Sequence, residues 1–537
     1  MDTNVDSFGS RRSTVYASNG VVATSQPLAA QAGLRVLEEG GNAFDAAVAT
    51  AAALNVVEPT STGLGGDVFA LYRTADGEVG GMRAWGGAPA AATRERVREA
   101  VAEEEEVAPD EAEMPFTGPH TVTVPGTARG WEATVDRFGE RTLAEALDPA
   151  IGYATEGYPV SEVIASHWMG GEDLFESDHA RDAYLVDGER APAAGEVMRL
   201  ERLGESMRAI AEEGADVVYE GRIGEAIVEE VQREGGFLSM EDLADFEPEF
   251  VDPISTTYNG AEVFELPPNN QGLVALEALN IASELDAASH EGAERLHRFA
   301  EATALAFHDG HRYITDPEFK DVPPLASREW ARRRAKEVGE GAGDHSFGVP
   351  DSHAEDADTV LLCVADDAGN VVSYINSRFA GFGSGLVAGD TGIALQNRGA
   401  SFSLDADHPN RLEPRKRPFH TLIPGLIRFD ADDWAAFGVM GGFMQPQGHV
   451  QVVSNLVDEG MTPQAALDEP RWRYRESGRL AVETRVPGAI QNALARKGHD
   501  VAVLPPVMFG GAQFARNADG VLSAATEPRK DGNAVGY

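Results

Sequence analysis

A threonine stands where the polar stretch Asp351 to Asp358 gives way to the β-prone run Thr359 to Ala365, TVLLCVA. Its hydroxyl alone is a poor nucleophile. Were the peptide bond between Asp358 and Thr359 cut, the freed α-amine, with an ordinary pKa of about 7.7 to 8.0, would sit beside that hydroxyl as a base suited to neutral pH. One residue would then supply nucleophile and base for amide hydrolysis through an acyl-enzyme. A threonine at a loop–strand junction is also ordinary, so its type and place alone do not assign it. The common alternatives are missing from the chain: there is no GxSxG, no P-loop, no HExxH and no complete GxGxxG. His308, Asp309 and His311 are close in sequence, but on the helical pattern Ala300 to Tyr313 they do not share one face, so no metal site is expected there. Cys363, the single cysteine, excludes an intramolecular disulfide and falls inside the apolar strand, where a free cysteine packs as a small hydrophobe.

Holding such a threonine calls for a strand pair. Asp366 to Asn370 (DDAGN) is a turn signal and Val371 to Asn376 is again β-prone, so a hairpin follows Thr359. A further strand, Trp434 to Met440, runs into Gly441 and Gly442, and two short apolar runs, Val501 to Pro505 and Val521 to Ala524, come later. The first third begins with alanine-rich helices, Pro27 to Glu39 and Ala43 to Leu54, then a glycine-dense turn, Ser61 to Asp67, and a strand from Val68 to Tyr72. Ser239 caps a helix that runs through Leu243, with Asp242 as an imperfect capping box. Arg94 to Pro115, which contains the run Glu103 to Glu106, is expected to be a solvated surface insertion without function. Helices concentrate before residue 358 and strands after it, which predicts an α+β fold: a layered sheet sandwich flanked by helices.

A chain of 537 residues exceeds one ordinary core yet shows no linker, so one compact unit or two closely packed ones are expected. The longest apolar run, Ala43 to Leu54, is too short to span a bilayer, and the first twenty residues lack the apolar segment of a secretory signal. No membrane association is expected, and the expected location is the cytoplasm. The net charge of -44 repels nucleic acid. Self-repulsion on that scale is screened in molar salt, where the Debye length is roughly 3 Å, so a high-salt organism is expected.

Nearly the whole chain resembles the gamma-glutamyltransferase (glutathione hydrolase) family. The matching stretches include QPLAAQAGLRVLEEGGNAFDAAVATAAALNVVEP (Gln26 to Pro59), STGLGGDVF (Ser61 to Phe69), VPGTARGW (Val124 to Trp131), VYEGRIGEAIV (Val218 to Val228) and LPPNNQG (Leu266 to Gly272). In the later part they are ADTVLLCVADDAGNVVS (Ala357 to Ser373), GFGSG (Gly381 to Gly385), TGIALQNRG (Thr391 to Gly399), KRPFHTLIP (Lys416 to Pro424), GVMGGFMQPQGHVQ (Gly438 to Gln451) and the ending EPRKDGNAVGY.

That resemblance implies a four-layer αββα sandwich of the N-terminal-nucleophile hydrolase type. It implies self-cleavage between Asp358 and Thr359 into a large subunit, residues 1–358, and a small one, residues 359–537, which stay associated. Thr359 takes the position of the family's nucleophile, Gly441 and Gly442 that of its oxyanion-hole glycines, and Ser377 that of a second hydroxyl bonded to the nucleophile. Glycine permits the close backbone approach that such a hole needs. The substrate would be a small-molecule amide, and no cofactor or metal is implied. At the clamp for the substrate's amino and carboxyl groups the chain departs from the best-known members. Trp85 stands at the carboxylate-binding arginine position, with Arg83 two residues away on the same strand face; Ser401 replaces an acid. Phe379 and Arg398 replace amides, and His420 and Thr421 replace a serine pair. An ammonium would lose its charged partner there, whereas Arg398 is suited to a carboxylate. These features resemble the amidohydrolase and acylase branch of the family. Gamma-glutamyl hydrolysis or transfer is the family default, an acidic amide without the amino group the alternative, and an uncleaved binding protein the reading from another class.

Overall fold

The computed structural model describes residues 12–345 and 359–537. Two seven-stranded sheets lie face to face around a shared apolar layer. The first runs through Asn533–Gly536, Gly20–Thr24, Val360–Asp366, Val371–Ser377, Asp67–Arg73, Val79–Ala84 and Glu249–Val251. The second runs through Val15–Ala17, Val521–Thr526, Gly511–Ala518, Asp433–Met440, Gly425–Asp430, Ala261–Glu265 and Ile254–Tyr258.

Side chains alternate across each strand with a period of two, and both faces find cover. Along Val360–Asp366, Leu361, Cys363 and Ala365 face the second sheet, while Val360, Leu362 and Val364 join the layer beneath the helices. Along Asp433–Met440, Trp434, Ala436 and Met440 face inward, and Ala435, Phe437 and Val439 face the other helix layer. Burial on both faces explains why TVLLCVA reads as a continuous apolar run rather than as an alternation. The helix Ala43–Val57, closed at its start by an Asn42–Asp45 capping box and buried along its whole length, packs on the first sheet. Gly272–Glu284 and Met444–Val457 cover the second, and Gly292–Tyr313 packs on Gly272–Glu284. The layering is αββα, and Cys363 is core, as its place in the run implies. No helix among the described residues is long and apolar enough to cross a membrane.

Three expectations change in detail. Strands are denser after residue 358, yet the earlier part still gives four to the first sheet and three to the second. A hairpin alone leaves one edge of each strand unpaired, and Val360–Asp366 becomes central only because Gly20–Thr24 pairs with its other side. Arg94 to Pro115 is not wholly solvated. Its helix, Arg94–Glu104, keeps Glu103 and Glu104 outside but buries Val97, Val101 and Ala102 against Phe402, Leu404 and Leu412. The capping box at Ser239 is complete, and Asp242 Oδ1 also accepts from Ala90 N at 2.8 Å. At the far edge of the first sheet, Tyr537 O accepts from Ser18 N and Asn19 N at 3.1 and 2.9 Å, which ties the last residue to the first strands.

Candidate active site

Thr359 enters the first sheet one residue ahead of Val360–Asp366 and is 2% exposed in the uncut chain. The register Val360↔Asn376 sets it opposite Ser377, and its Oγ1 donates to Ser377 Oγ at 3.4 Å. Ser377 Oγ also accepts from Phe379 N at 2.8 Å. Phe379 adopts φ 85°, a left-handed conformation that costs a bulky residue about 1–3 kcal/mol and persists only where its surroundings fix it. The guanidinium of Arg398 lies over its ring at 4.7 Å. Asp358 lies outside the described residues.

The strand Asp433–Met440 ends at the glycine pair, whose φ values of 109° and 51° are open to glycine without strain. Their carbonyls carry the local hydrogen bonds: Gly441 O accepts from Met444 N at 2.8 Å and Gly442 O from Gln445 N at 3.2 Å. The pair leads into Met444–Val457, so its amides belong to the positive end of a helix. Leu361 brings the two strands together, since a Cβ on Gly438 would lie 2.8 Å from Leu361 Cδ2.

The clamp positions converge on a residue that sequence reasoning did not single out, Asp67. It accepts from Gln396 Nε2 at 3.0 Å and from His420 Nε2 at 3.1 Å, and Arg398 Nε stands 3.5 Å from its Oδ2. Burial pushes the Asp67 carboxyl up to about 7 against the pull of Arg398 and Gln396, and it brings Arg398 down to about 10. His420 is held well below the usual imidazole value by burial and by Arg398, and is neutral. Its Nδ1 accepts from Leu422 N at 3.2 Å, so Nε2 carries the proton given to Asp67. Arg398 Nη1 donates to Thr421 Oγ1 at 2.9 Å, but its Nε and Nη2 make no hydrogen bond among the described residues. Gln271 Nε2 donates to both Thr421 O at 2.7 Å and Gly442 O at 3.0 Å, joining the clamp to the glycine pair. An acid closing the glycine-dense STGLGGDVF turn was the available signal for Asp67.

Arg83 and Trp85 stand at one side of this network. Trp85 is buried between two guanidiniums, Arg83 at 4.7 Å and Arg417 at 4.6 Å from its ring. Arg83 Nη2 pairs with Glu249 at 2.8 Å and its Nη1 donates to Pro268 O at 3.0 Å, so its outer nitrogens are engaged within the protein. Ser401 lines a cleft of about 360 Å³ together with Arg98, Glu113, Met114 and Phe402; the cleft adjoins the clamp rather than Thr359. Residues 110–114, expected to be mere surface, form part of its wall.

His308, Asp309 and His311 do not gather: Asp309 accepts from Trp330 Nε1 at 2.7 Å and forms an ion pair with Arg334, 2.9 Å away, while the His311 ring stacks on Phe419. The described residues with metal-ligand geometry are His297, Glu301 and His499, whose donor atoms all lie within 4.8 Å of one another. The i,i+4 spacing of His297 and Glu301 on a helical pattern was the only sequence signal for them.

The family model for gamma-glutamyltranspeptidase matches residues 29–537. The chain is 36% identical over 538 residues to the glutathione hydrolase-like YwrD proenzyme of Bacillus subtilis (strain 168), covering 97% of this chain and 99% of that one. It is 34% identical over 542 residues to the oxamate amidohydrolase proenzyme of Klebsiella pneumoniae, covering 98% of this chain and all of that one (100%). The crystal structure of cephalosporin acylase from Bacillus halodurans superposes with a TM-score of 0.89 at 44% identity, covering 99% of this chain and 98% of that one. Given that likeness along the whole length and the shared αββα architecture, the chain belongs to the gamma-glutamyltranspeptidase family, as an N-terminal-nucleophile enzyme of its self-processing amidohydrolase and acylase kind.

Proposed function

We propose that the chain cuts itself before Thr359 and then hydrolyses the amide of an acidic acyl group that lacks an α-amino group. In the first step Thr359 Oγ attacks the Asp358 carbonyl carbon. The C–N bond breaks, the nitrogen takes the hydroxyl proton and becomes the α-amine, and water hydrolyses the resulting ester to free Asp358 carboxylate and Thr359 hydroxyl. Residues 1–358 and 359–537 then stay together through their shared sheets. In turnover the amine takes the Oγ proton as Oγ attacks the substrate amide, Ser377 orients Oγ, and the amides of Gly441 and Gly442 receive the oxyanion. The leaving amine departs with the proton, and water releases the acid.

The observation that carries the substrate class is Arg398, a fully buried cation with two nitrogens that make no hydrogen bond among the described residues and one carboxyl neighbour pushed up to about 7. A substrate carboxylate would complete its coordination bidentately. The ammonium of a γ-glutamyl group would meet Ser401 and Arg398 in place of an acid. Oxamate, named for one relative, is an acid amide of the proposed kind. The name of another, glutathione hydrolase-like, supports the γ-glutamyl reading.

Two chromogenic amides separate these readings: glutaryl-p-nitroanilide and γ-glutamyl-p-nitroanilide differ only in the α-amino group. In molar salt, which screens the charge of -44, kcat/KM should favour the glutaryl compound by at least about tenfold, or about 1.4 kcal/mol. A reversed ratio would sink the acidic-acyl reading in favour of the γ-glutamyl one.

The pH dependence has a definite sign. Below about pH 7 Asp67 is protonated and leaves Arg398 without a counterion, so an anionic substrate binds best there. As pH rises through 7 the ionised Asp67 competes with the substrate carboxylate and KM should climb. Meanwhile kcat should rise as the Thr359 amine loses its proton, near pH 7.7 to 8.0 for an ordinary α-amine. In Asp67→Asn the rise in KM should disappear while the kcat limb stays. A KM profile unchanged by the substitution would contradict this assignment.

A further inference from the structure

The cluster on the far side of the second sheet invites a different chemistry. His297 and Glu301 lie one turn apart on Gly292–Tyr313, and His499 comes from the turn after Gly488–Arg496. All three are buried. His297 Nε2 faces Gly339 O at 3.2 Å, which fixes the proton on Nε2 and leaves the Nδ1 lone pair pointing at His499 Nε2, 2.8 Å away. His499 Nε2 is 3.9 Å from Glu301 Oε1. Glu301 Oε2 is itself oriented by Gly343 N at 3.0 Å and is 2.8 Å from His345 Nε2.

Tetrahedral zinc with nitrogen and oxygen ligands at about 2.0–2.2 Å spaces its donor atoms by about 3.3–3.5 Å. The separations of 2.8 and 3.9 Å bracket that spacing and all three donor atoms lie within 4.8 Å of one another, so side-chain shifts of about an ångström would suffice. A backbone carbonyl on the far nitrogen of a histidine and a backbone amide on a carboxylate are the outer contacts that orient metal ligands. The donor set, two imidazoles and one carboxylate without thiolate, suits a borderline divalent ion rather than calcium or magnesium.

We propose that His297 Nδ1, Glu301 Oε1 and His499 Nε2, with solvent as fourth ligand and His345 Nε2 holding the other oxygen of Glu301, form a zinc site. Loading requires the shared His297–His499 proton to leave to solvent or to the other nitrogen of His499. Two ligands belong to residues 1–358 and one to residues 359–537. If the chain is cut as proposed above, the ion therefore bridges the two products and anchors residues 339–345, the segment that leads toward the scission site. Zinc binding itself does not rest on that scission.

The test uses full-length wild type and the full-length Thr359→Ala chain, which separates metal binding from cleavage. Each is loaded with zinc, dialysed, and its metal content measured by mass spectrometry; cobalt(II) is then titrated as a spectroscopic probe. One zinc per chain is expected in both, with cobalt bands of tetrahedral intensity. His499→Gln and Glu301→Gln, which keep polar side chains in place, should weaken zinc at least 100-fold in a chelator competition; His311→Gln, outside the cluster, should not. Zinc should raise the melting temperature of wild type and not that of His499→Gln. Absence of stoichiometric zinc in the wild type and in Thr359→Ala would overturn the proposal whatever the variants do. So would equal zinc affinity in wild type and His499→Gln.

Discussion

Replacing Thr359 with alanine should leave one uncut species of 57.2 kDa and lower amide hydrolysis by at least about 10⁴-fold. Both effects have one cause. In the proposed mechanism the hydroxyl that breaks the chain is the hydroxyl that later attacks substrate, and the base for the second reaction is the product of the first. Because Thr359 carries only a hydroxyl, turned toward Ser377, and a methyl group beyond Cβ, alanine removes atoms without adding any, and folding should be unaffected. Thr359→Ser is the informative companion, since it keeps the oxygen; it should cut slowly and regain part of the activity. Intact-mass analysis in molar salt reads the cleavage directly. A wild-type chain that remains uncut, or an alanine variant that still divides at residue 359, would remove the proposed nucleophile.

Gly441→Ala should lower kcat by about 10² to 10³ while leaving KM within a few-fold. Gly441 holds φ 109°, where a side chain is strained, and a Cβ there would stand 3.2 Å from Gly510 Cα, a backbone atom that cannot swing aside. The turn must rotate to admit the methyl group, and the amides of Gly441 and Gly442 rotate with it. Loss of one oxyanion donor accounts for about 3–4 kcal/mol in the transition state and little in the ground state. Gly460→Ala is the control: that residue also has positive φ, 60°, but its Cβ would meet open space. It should cost some stability and no turnover. Steady-state kinetics beside thermal melts separate the outcomes, and equal kcat for wild type and Gly441→Ala would exclude the oxyanion assignment.

What could be read in the sequence is what depends on neighbours along the chain. TVLLCVA, its DDAGN turn and the following strand are local, and they form the hairpin that carries Thr359 and Ser377. The helices Pro27–Glu38 and Ala43–Val57 agree with their expected limits to within a few residues, because alanine spacing and capping decide them. Asp67 was not legible as a centre: its partners Gln396, Arg398 and His420 each lie more than three hundred residues away, and the burial that raises its carboxyl against the pull of Arg398 and Gln396 exists only in the folded chain. His499 likewise meets His297 across 202 positions of sequence. The ending EPRKDGNAVGY was recognised as a motif without a reason. The structure supplies one, a buried ion cluster in which Arg529 pairs with Glu527 at 2.6 Å and donates Nε to Glu483 at 2.6 Å, while Arg471 reaches Glu527 at 2.7 Å. Such a cluster is sensitive to loss of any one member.

The stitching of Tyr537 to Ser18 and Asn19 has a use in protein engineering. With Tyr537 beside Ser18 and Asn19, a short peptide could join Tyr537 to the strand Val15–Ala17, and the reading order could be reopened at residue 359. A circular permutant of that kind begins with Thr359 once its initiator methionine is trimmed, so the α-amine is present from synthesis. Maturation and turnover, inseparable in the natural order of the chain, then become two properties that can be altered independently.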